Sequence, residues 1–408
     1  MPLEPVETLV IGGGQAGLAM SHTLRRRDCP HVVLERHRIA ERWRTERWRG
    51  LRFQFPNWSV RLPDFPFPHA DPDGFATSEQ IVDFIAAYAD MVAPPVRCGV
   101  EVTRLRRDDG RAGFLAETSA GPMAATNVVI ATGPYQRALV PDLVPREAEL
   151  FQVHASRYVE PGQLPTGAVL VVGSGASGAQ ITEELHRAGR RVYLSVGRHR
   201  RLPRRYRGRD VIWWLSAMGL DETPTEKRGA DATLPLITGA YGGHTIDLRD
   251  FAAQGIALLG RLEAAHGDVL SFAPDLADSV ARGDAAYMGF LDAVDAHVER
   301  HALGFPAEPA ARRLAPDPPC FAAPLRRVDL RAAGIGSIIW ATGYGFDLGW
   351  LDVPVLDARG EPVHRGGLTS APGLYFLGLQ WLSKMSSSFL SGVGDDAARI
   401  ADHIAAGR

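Results

Sequence analysis

Cysteine is scarce in this chain of 408 residues: Cys29, Cys98 and Cys320 lie far apart and form no CxxC pair. That spacing excludes a redox-active CxxC disulfide and fits a reducing compartment. Lysine is scarcer still, with Lys227 and Lys384 alone among 45 basic residues. A formal net charge of −2 gives no electrostatic case for nucleic acid or an acidic membrane as main partner. No apolar run approaches the roughly 18 residues of a membrane span. No basic, apolar and small-residue leader precedes the first strand pattern. No His, Cys and Asp cluster has metal-ligand spacing, and His244 reads as a hydrogen-bonded loop residue. Together these absences predict a soluble, cytoplasmic, metal-free protein. Apolar content of 45% and charged content of 23% are ordinary for a globular chain, and the length suits two domains.

Glycine-rich turns are what the sequence does have. Thr8-Leu9-Val10-Ile11-Gly12-Gly13-Gly14-Gln15-Ala16-Gly17 carries an apolar run into a turn, and an amphipathic segment, Leu18 to Arg27, follows. A second apolar run, His31 to Leu34, ends in Glu35, eighteen residues beyond Gly17 and near the roughly 20 of a dinucleotide fold. Gly12 permits the turn, Gly14 lets backbone approach a pyrophosphate, and Gly17 lets helix and strand pack closely. The helix N-terminus then offers unpaired N–H groups to an anion. One such fingerprint is weak evidence, but it recurs at Val169 to Gly178, with Gly173, Gly175 and Gly178 in the same places.

The second copy differs at its edge. Its strand Arg191 to Ser195 ends in no acid but in Ser195-Val196-Gly197-Arg198-His199-Arg200-Arg201. A hydroxyl and guanidinium groups in that place point to a 2′-phosphate, hence NADP. A charge-assisted contact of roughly 1.5–3 kcal/mol favours NADP over NAD by about 10- to 100-fold. The bland alternative is a solvated basic turn.

Elsewhere the chain is read more coarsely. Arg36 to Phe55 is a loop rich in Arg and Trp, suited to a pyrophosphate and flat rings or simply to solvent and core. Pro56 to Pro72 is an irregular loop, and Ser78 caps a helix over Glu79 to Ala89. Val96 to Arg106 and Gly113 to Thr118 read as hairpin-like strands, Asn127 to Ile130 as a buried strand. Apolar strands end in Ala131-Thr132-Gly133 and again in Ala341-Thr342-Gly343, where a small turn lets backbone meet a ligand. Gly162 to Gly167 is taken as the domain crossing. Asp210 to Gly219 reads as a helix start, Phe251 to Leu262 as strand and turn, Ala277 to Ala302 as a helix, and Pro316 to Pro324 as a return linker. Gly373 to Gln380 is a strand into a glycine, with a helix to Ala406 behind it.

With both fingerprints and both Ala-Thr-Gly turns placed, the chain resembles the class B flavin-dependent monooxygenases, closest to the short bacterial and plant auxin-forming members. The resemblance spans nearly the whole length except roughly 205–330. It implies an α/β fold of two Rossmann-like dinucleotide-binding domains, the FAD domain (1–163 and 331–408) interrupted by an inserted NADP domain (164–330). A partly helical insertion occupies about 205–315. The family linker FxGxxxHSxxY/W is matched by His154, Ser156 and Tyr158, with a shorter spacing from Phe151 and without its glycine. That departure marks a variant subgroup and weakens a Baeyer–Villiger assignment. Glu41-Arg42 likewise replace the glycines usual before Trp43.

The implied FAD contacts are Gly12, Gly14, Gln15, Ala16, Gly17, Glu35, Arg36, Trp43, Arg44, Arg52, Val102, Thr132, Gly133, Gly378 and Gln380. The implied NADP contacts are Gly173, Ser174, Gly175, Ala176, Ser177, Gly178, Ser195, Arg198, Arg200, Thr342 and Gly343. Asn57 stands for an active-site asparagine of some members, and His154 for a hinge or hydrogen-bonding residue. The implied reaction is NADPH-dependent oxygenation of a small molecule by O₂ through a C4a-(hydro)peroxyflavin, at nitrogen, sulfur or carbon. The protein's task is to orient the cofactor and exclude water. Trp213, Trp214, Trp381 and Ser386 to Ser388 are candidate pocket residues. A flavoprotein reductase passing electrons to an acceptor is the rival reading, its disulfide-reducing branch excluded by the missing CxxC. A non-enzymatic nucleotide sensor is the third. A homo-oligomer stays open.

Overall fold

The computed structural model describes residues 3–108, 110, 112–144, 150–229 and 235–408, so residues 230–234 of the expected insertion lie outside the described residues. The chain begins with β1 (Glu4–Ile11), α1 (Gln15–Arg25) and β2 (His31–Glu35). Helix α2 (Ser78–Val92) is capped by Thr77 rather than Ser78. Thr77 Oγ1 accepts from Gln80 N–H (3.1 Å) and Gln80 Oε1 from Thr77 N–H (2.9 Å), a reciprocal box that satisfies two helix-end donors. Strands β3 (Val96–Cys98), β4 (Val102–Arg107), β5 (Phe114–Thr118) and β6 (Met123–Ile130) follow.

The chain then crosses to a second sheet through β7 (Phe151–His154), β8 (Ala168–Val172), α3 (Ala176–Arg187) and β9 (Val192–Ser195). Helix α4 (Leu248–Ala253), β10 (Ala257–Leu259), α5 (Leu276–Arg300) and β11 (Ile335–Trp340) continue it. The return brings β12 (Leu351–Asp352), β13 (Leu374–Phe376) and α6 (Val393–Ala406).

Among the described residues the first sheet has the order β12-β4-β5-β6-β1-β2-β3, with β13 also on β6. Strand β1 runs parallel to both β2 and β6, and β4-β5-β6 is an antiparallel meander. The second sheet is parallel throughout, ordered β7-β11-β8-β9-β10. Its central strand is buried on both faces: Val169 and Val171 join one apolar core, Ala168, Leu170 and Val172 another. Covered faces of this kind are what a parallel sheet requires, and they explain the unbroken Val and Leu run.

Sheet pairing runs across both expected domain boundaries. Strand β7, assigned to the first domain by the boundary at 163, pairs with β11, and β11, assigned there by the boundary at 331, pairs with β8. Gly162–Gly167 lies between two strands of the second sheet, and a two-stranded ribbon, in which Tyr344 and Gly345 pair with Ala138 and Arg137, lies on the chain between the two sheets. Apolar strands of the two sheets look alike in sequence, and only hydrogen-bond partners separate them. Phe251 to Leu262 also departs from expectation. Asp247 accepts from Arg249 N–H (2.9 Å) and starts a helix there, leaving Ala257–Leu259 as strand and Leu262 as the first residue of another. Among the described residues no helix is long and apolar enough to cross a membrane.

Candidate functional site

The two fingerprints fold into matching cradles. Gly12 has φ +115° and Gly173 φ +106°, a region that disfavours side chains. A Cβ on Gly12 would lie 2.6 Å from Ala131 O, and one on Gly173 2.5 Å from Ala341 O. Each Ala-Thr-Gly turn is therefore pressed against the first glycine of its own cradle. Ala131 N–H donates to Ile11 O and Ala341 N–H to Val172 O, both at 2.8 Å. A Cβ on Gly17 would overlap Gly12 O, and one on Gly178 would overlap Gly173 O. Helix and strand thus touch backbone to backbone in both.

Gly14 and Gly175 are the N-caps of α1 and α3, and neither helix receives a side-chain cap. A Cβ built on either glycine meets nothing within 4 Å. Each helix end presents uncapped N–H groups beside open space, the setting that a pyrophosphate fits. Gln15 and Ala16 open α1; Ala16 faces Gly378, whose φ is +77° and whose Cβ would stand 2.7 Å from Ala16 Cβ. Ala176 and the exposed Ser177 occupy the matching first turn of α3.

The edges differ. Glu35 Oε2 accepts from Gly13 N–H and Oε1 from His37 N–H, both at 2.8 Å, so the carboxylate is fixed beside the first turn with lone pairs to spare. Ser195 is 2% exposed; its Oγ donates to Gly260 O (2.9 Å) and accepts from Leu262 N–H (3.1 Å). The 2′-phosphate role expected of Ser195 is therefore withdrawn, because its hydroxyl is committed to the neighbouring strand end. Ser174 is buried too, its Oγ accepting from Gly197 N–H at 3.1 Å and holding the loop that bears Arg198. Arg198 is exposed, with no hydrogen bond or ion pair to a described residue. Arg200 is half-buried and begins a short strand pairing with Pro235 and Leu236. Arg201 is consumed by buried ion pairs to Asp247 and Asp284, each 2.7 Å.

Around the first cradle, Arg36 is exposed without a partner among the described residues, and Trp43 packs edge-on against Phe53 at 5.6 Å. Arg44 donates to Ile39 O (3.2 Å), and Arg52 is half-buried, bridged to Thr77. Val102 is buried in the sheet core, while Val100 N–H reaches Glu35 O (3.1 Å). Phe53, Phe55, Ser59, Val60, Phe389, Leu390 and Ser391 line a small, partly open cleft. Asn57 is not among them. Its Nδ2 donates to Asp71 O (2.9 Å) and braces the proline loop, leaving Oδ1 buried without a partner. Trp214 is fully buried and donates to Tyr206 O (2.8 Å), and Ser387 Oγ accepts from Ser383 and Lys384 N–H (3.0 Å each). These two expected pocket residues are core and turn instead, because burial consumes their polar atoms.

Between the cradles runs a line of side chains. Gln380 Nε2 donates to Tyr135 OH (3.1 Å), Tyr135 meets Tyr344 edge-on (5.2 Å), and Tyr344 meets His154 (5.0 Å). His154 Nε2 donates to Gly343 O (3.1 Å) and Nδ1 accepts from Ser156 N–H (3.1 Å), which sets its tautomer. Burial holds the imidazole below its ordinary pKa, against the opposing bond to Gly343. Thr342 Oγ1 donates to Leu139 O. On the first side, Gln136 Nε2 donates to Thr132 Oγ1 and Gly133 O, both 2.8 Å, while Arg42 reaches the carbonyls of Tyr135 and Gln136. Neither Gln136 nor Arg42 was singled out from sequence. Gln136's place three residues after an Ala-Thr-Gly turn was the available signal.

The model of the pyridine nucleotide-disulphide oxidoreductase family matches residues 9–222, more than half of the chain. The chain belongs to that family. An uncharacterized CzcO-like oxidoreductase of Geobacillus kaustophilus is 32% identical over 404 residues, 98% of each chain. Indole-3-pyruvate monooxygenase YUCCA1 of Oryza sativa subsp. japonica is 30% identical over 191 residues, 46% of this chain and 47% of that one. A flavin-containing monooxygenase from Stenotrophomonas maltophilia shares the fold, with a TM-score of 0.68 at 19% identity over 99% of both chains. Membership makes this protein a flavin-dependent oxidoreductase, and its kinship with the class B flavin monooxygenases is upheld.

Proposed function

We propose that this oxidoreductase is an NADPH-dependent flavin monooxygenase that transfers one oxygen of O₂ to a small organic substrate. One asymmetry carries the reading: the same cradle is built twice, with a carboxylate at the edge of the first and beside the second a guanidinium without a partner among the described residues. The first suits FAD, whose ribose hydroxyls would donate to Glu35, and the second suits NADP, whose 2′-phosphate would pair with Arg198. When bound, FAD supplies the redox and oxygen-transfer chemistry, with electrons from NADPH.

The chain's own part is placement. Amides at the N-termini of α1 and α3 would hold the two pyrophosphates. Gln136 and His154 fix the carbonyls of Gly133 and Gly343, and the side-chain line between them sets the spacing of the two cradles. Phe53, Phe55 and Phe389 supply apolar walls against water. Purified protein should be yellow, should be reduced by NADPH faster than by NADH, and should consume O₂ faster when its substrate is added. Slow oxidation that ignores every substrate tried would point instead to an acceptor reductase.

A further inference from the structure

The inserted region reaches back across the domain crossing and clasps the wall of the first cradle. Residues 221–225 run beside 381–386. Thr225 N–H donates to Ser383 O (2.9 Å), Met385 N–H to Thr223 O (2.9 Å) and Ser386 N–H to Asp221 O (3.0 Å). Thr225 Oγ1 adds a bond to Trp381 O (2.7 Å). Lys384 sits at the centre of this clasp. The residue is 8% exposed, yet its ammonium reaches Glu222 Oε2 at 2.6 Å and also bonds Asp395 in the first turn of α6. Both carboxylates remain largely in water, 59% and 71% exposed. The segment it anchors is the one that meets the flavin-side helix: Ser388 O accepts from Gln15 Nε2 (2.9 Å), and Phe389 packs on Phe55 at 4.9 Å. Met385 is buried among Trp214, Leu291 and Val294 of the insertion.

We propose that Lys384 is a positioning residue, a latch that holds the inserted segment 221–225 against the 381–388 wall and so keeps the first cradle closed. A buried ammonium cannot remain charged at low cost without its partners, so Lys384 draws one carboxylate from each side of the clasp. Glu222 belongs to the insertion and Asp395 to the closing helix. The compact ammonium donates to both from a seat that a broad guanidinium fork fills less well. Resting on the proposed monooxygenase activity, the latch has a catalytic consequence. A closed wall directs the two electrons of NADPH into product and water. An open one lets NADPH + H⁺ + O₂ give NADP⁺ + H₂O₂.

Hydrogen exchange on the purified holoprotein tests the latch without reference to activity. In Lys384→Met the amides of Thr225, Met385 and Ser386 should exchange at least about tenfold faster. Lys384→Arg, which keeps the charge but fits the seat less well, should restore part of the protection. Glu222→Gln, on an exposed side chain, should speed exchange by a smaller factor and serves as the readout if Lys384→Met does not fold. In turnover with NADPH and O₂, the peroxide fraction should rise severalfold in Lys384→Met and fall back in Lys384→Arg. Unchanged exchange at the three amides overturns the latch. Faster exchange with an unchanged peroxide fraction overturns its role in coupling. A wild-type protein that oxygenates nothing sinks the proposed function, while exchange still decides the latch.

Discussion

Beside Gly12 a carboxylate closes the cradle, and beside Gly173 a buried hydroxyl does, although the glycine contacts of the two turns are nearly interchangeable. Glu35 fixes the Gly13 amide from across the turn, whereas Ser174 uses its own side chain to hold the Gly197 loop. The first cradle thus keeps an acceptor facing its cleft. The second turns the hydroxyls of Ser174 and Ser195 inward and leaves Arg198 exposed, with no partner among the described residues. If the proposed cofactors are right, selectivity for the nucleotide would come from which polar group is left unpaired, not from the shape of the glycine turn.

The largest effects should come from blocking one cradle at a time. Gly17→Val would drive a side chain into Gly12 O, and Gly178→Val into Gly173 O. Overpacking of this kind costs about 1–3 kcal/mol or more. Gly17→Val should purify without flavin, judged by its visible spectrum. Gly178→Val should stay yellow while its reduction by NADPH slows by about a hundredfold, roughly 3 kcal/mol. If both variants lose flavin together, the cradles are not separable and the comparison breaks.

A smaller effect sharpens the edge. Arg198→Ala should lower the NADPH-over-NADH preference by about 10- to 100-fold, the worth of one charge-assisted contact. Ser195→Ala should leave that preference alone but lower stability by about 1–3 kcal/mol, because Leu262 N–H loses a buried acceptor. Kinetics with both nucleotides, alongside thermal melts, separates the two. A changed NADPH preference in Ser195→Ala would return the hydroxyl to the binding site.

Much of this was legible in the sequence. Glycine spacing, the acid at Glu35 and the paired Ala-Thr-Gly turns place both cradles, because each demands a residue type that little else satisfies. Glycine is needed where φ is positive or backbones touch. Burial of polar groups is what sequence cannot display. Ser195 and Arg198 look equally available in the linear run, and only the fold shows one bonded to Gly260 and the other in solvent. Sheet membership was hidden for the same reason: β7 and β11 are apolar strands whose partners lie far along the chain. Lys384 stands out in the sequence only by its rarity, and the carboxylates it joins are separated by more than 150 residues.

The smallest expected effect concerns pH, and it too divides the halves. Gly133 O is held by Gln136, which does not titrate, but Gly343 O is held by His154, which does. Burial lowers the folded His154 pKa below its ordinary 6.5, so the unfolded chain takes up the proton first as pH falls. The stabilisation is complete above 6.5 and is lost as pH drops from there through the folded value. Protonation also turns Nδ1 into a donor facing Ser156 N–H, so its bond must break. His154→Gln should therefore flatten part of the fall in melting temperature between about pH 7 and 5. Only part is expected, since burial lowers His31, His199 and His364 as well. A wild-type and His154→Gln pair with parallel melting curves across that range would mean that the crossing does not depend on the neutral imidazole, and that both turns are equally indifferent to acid.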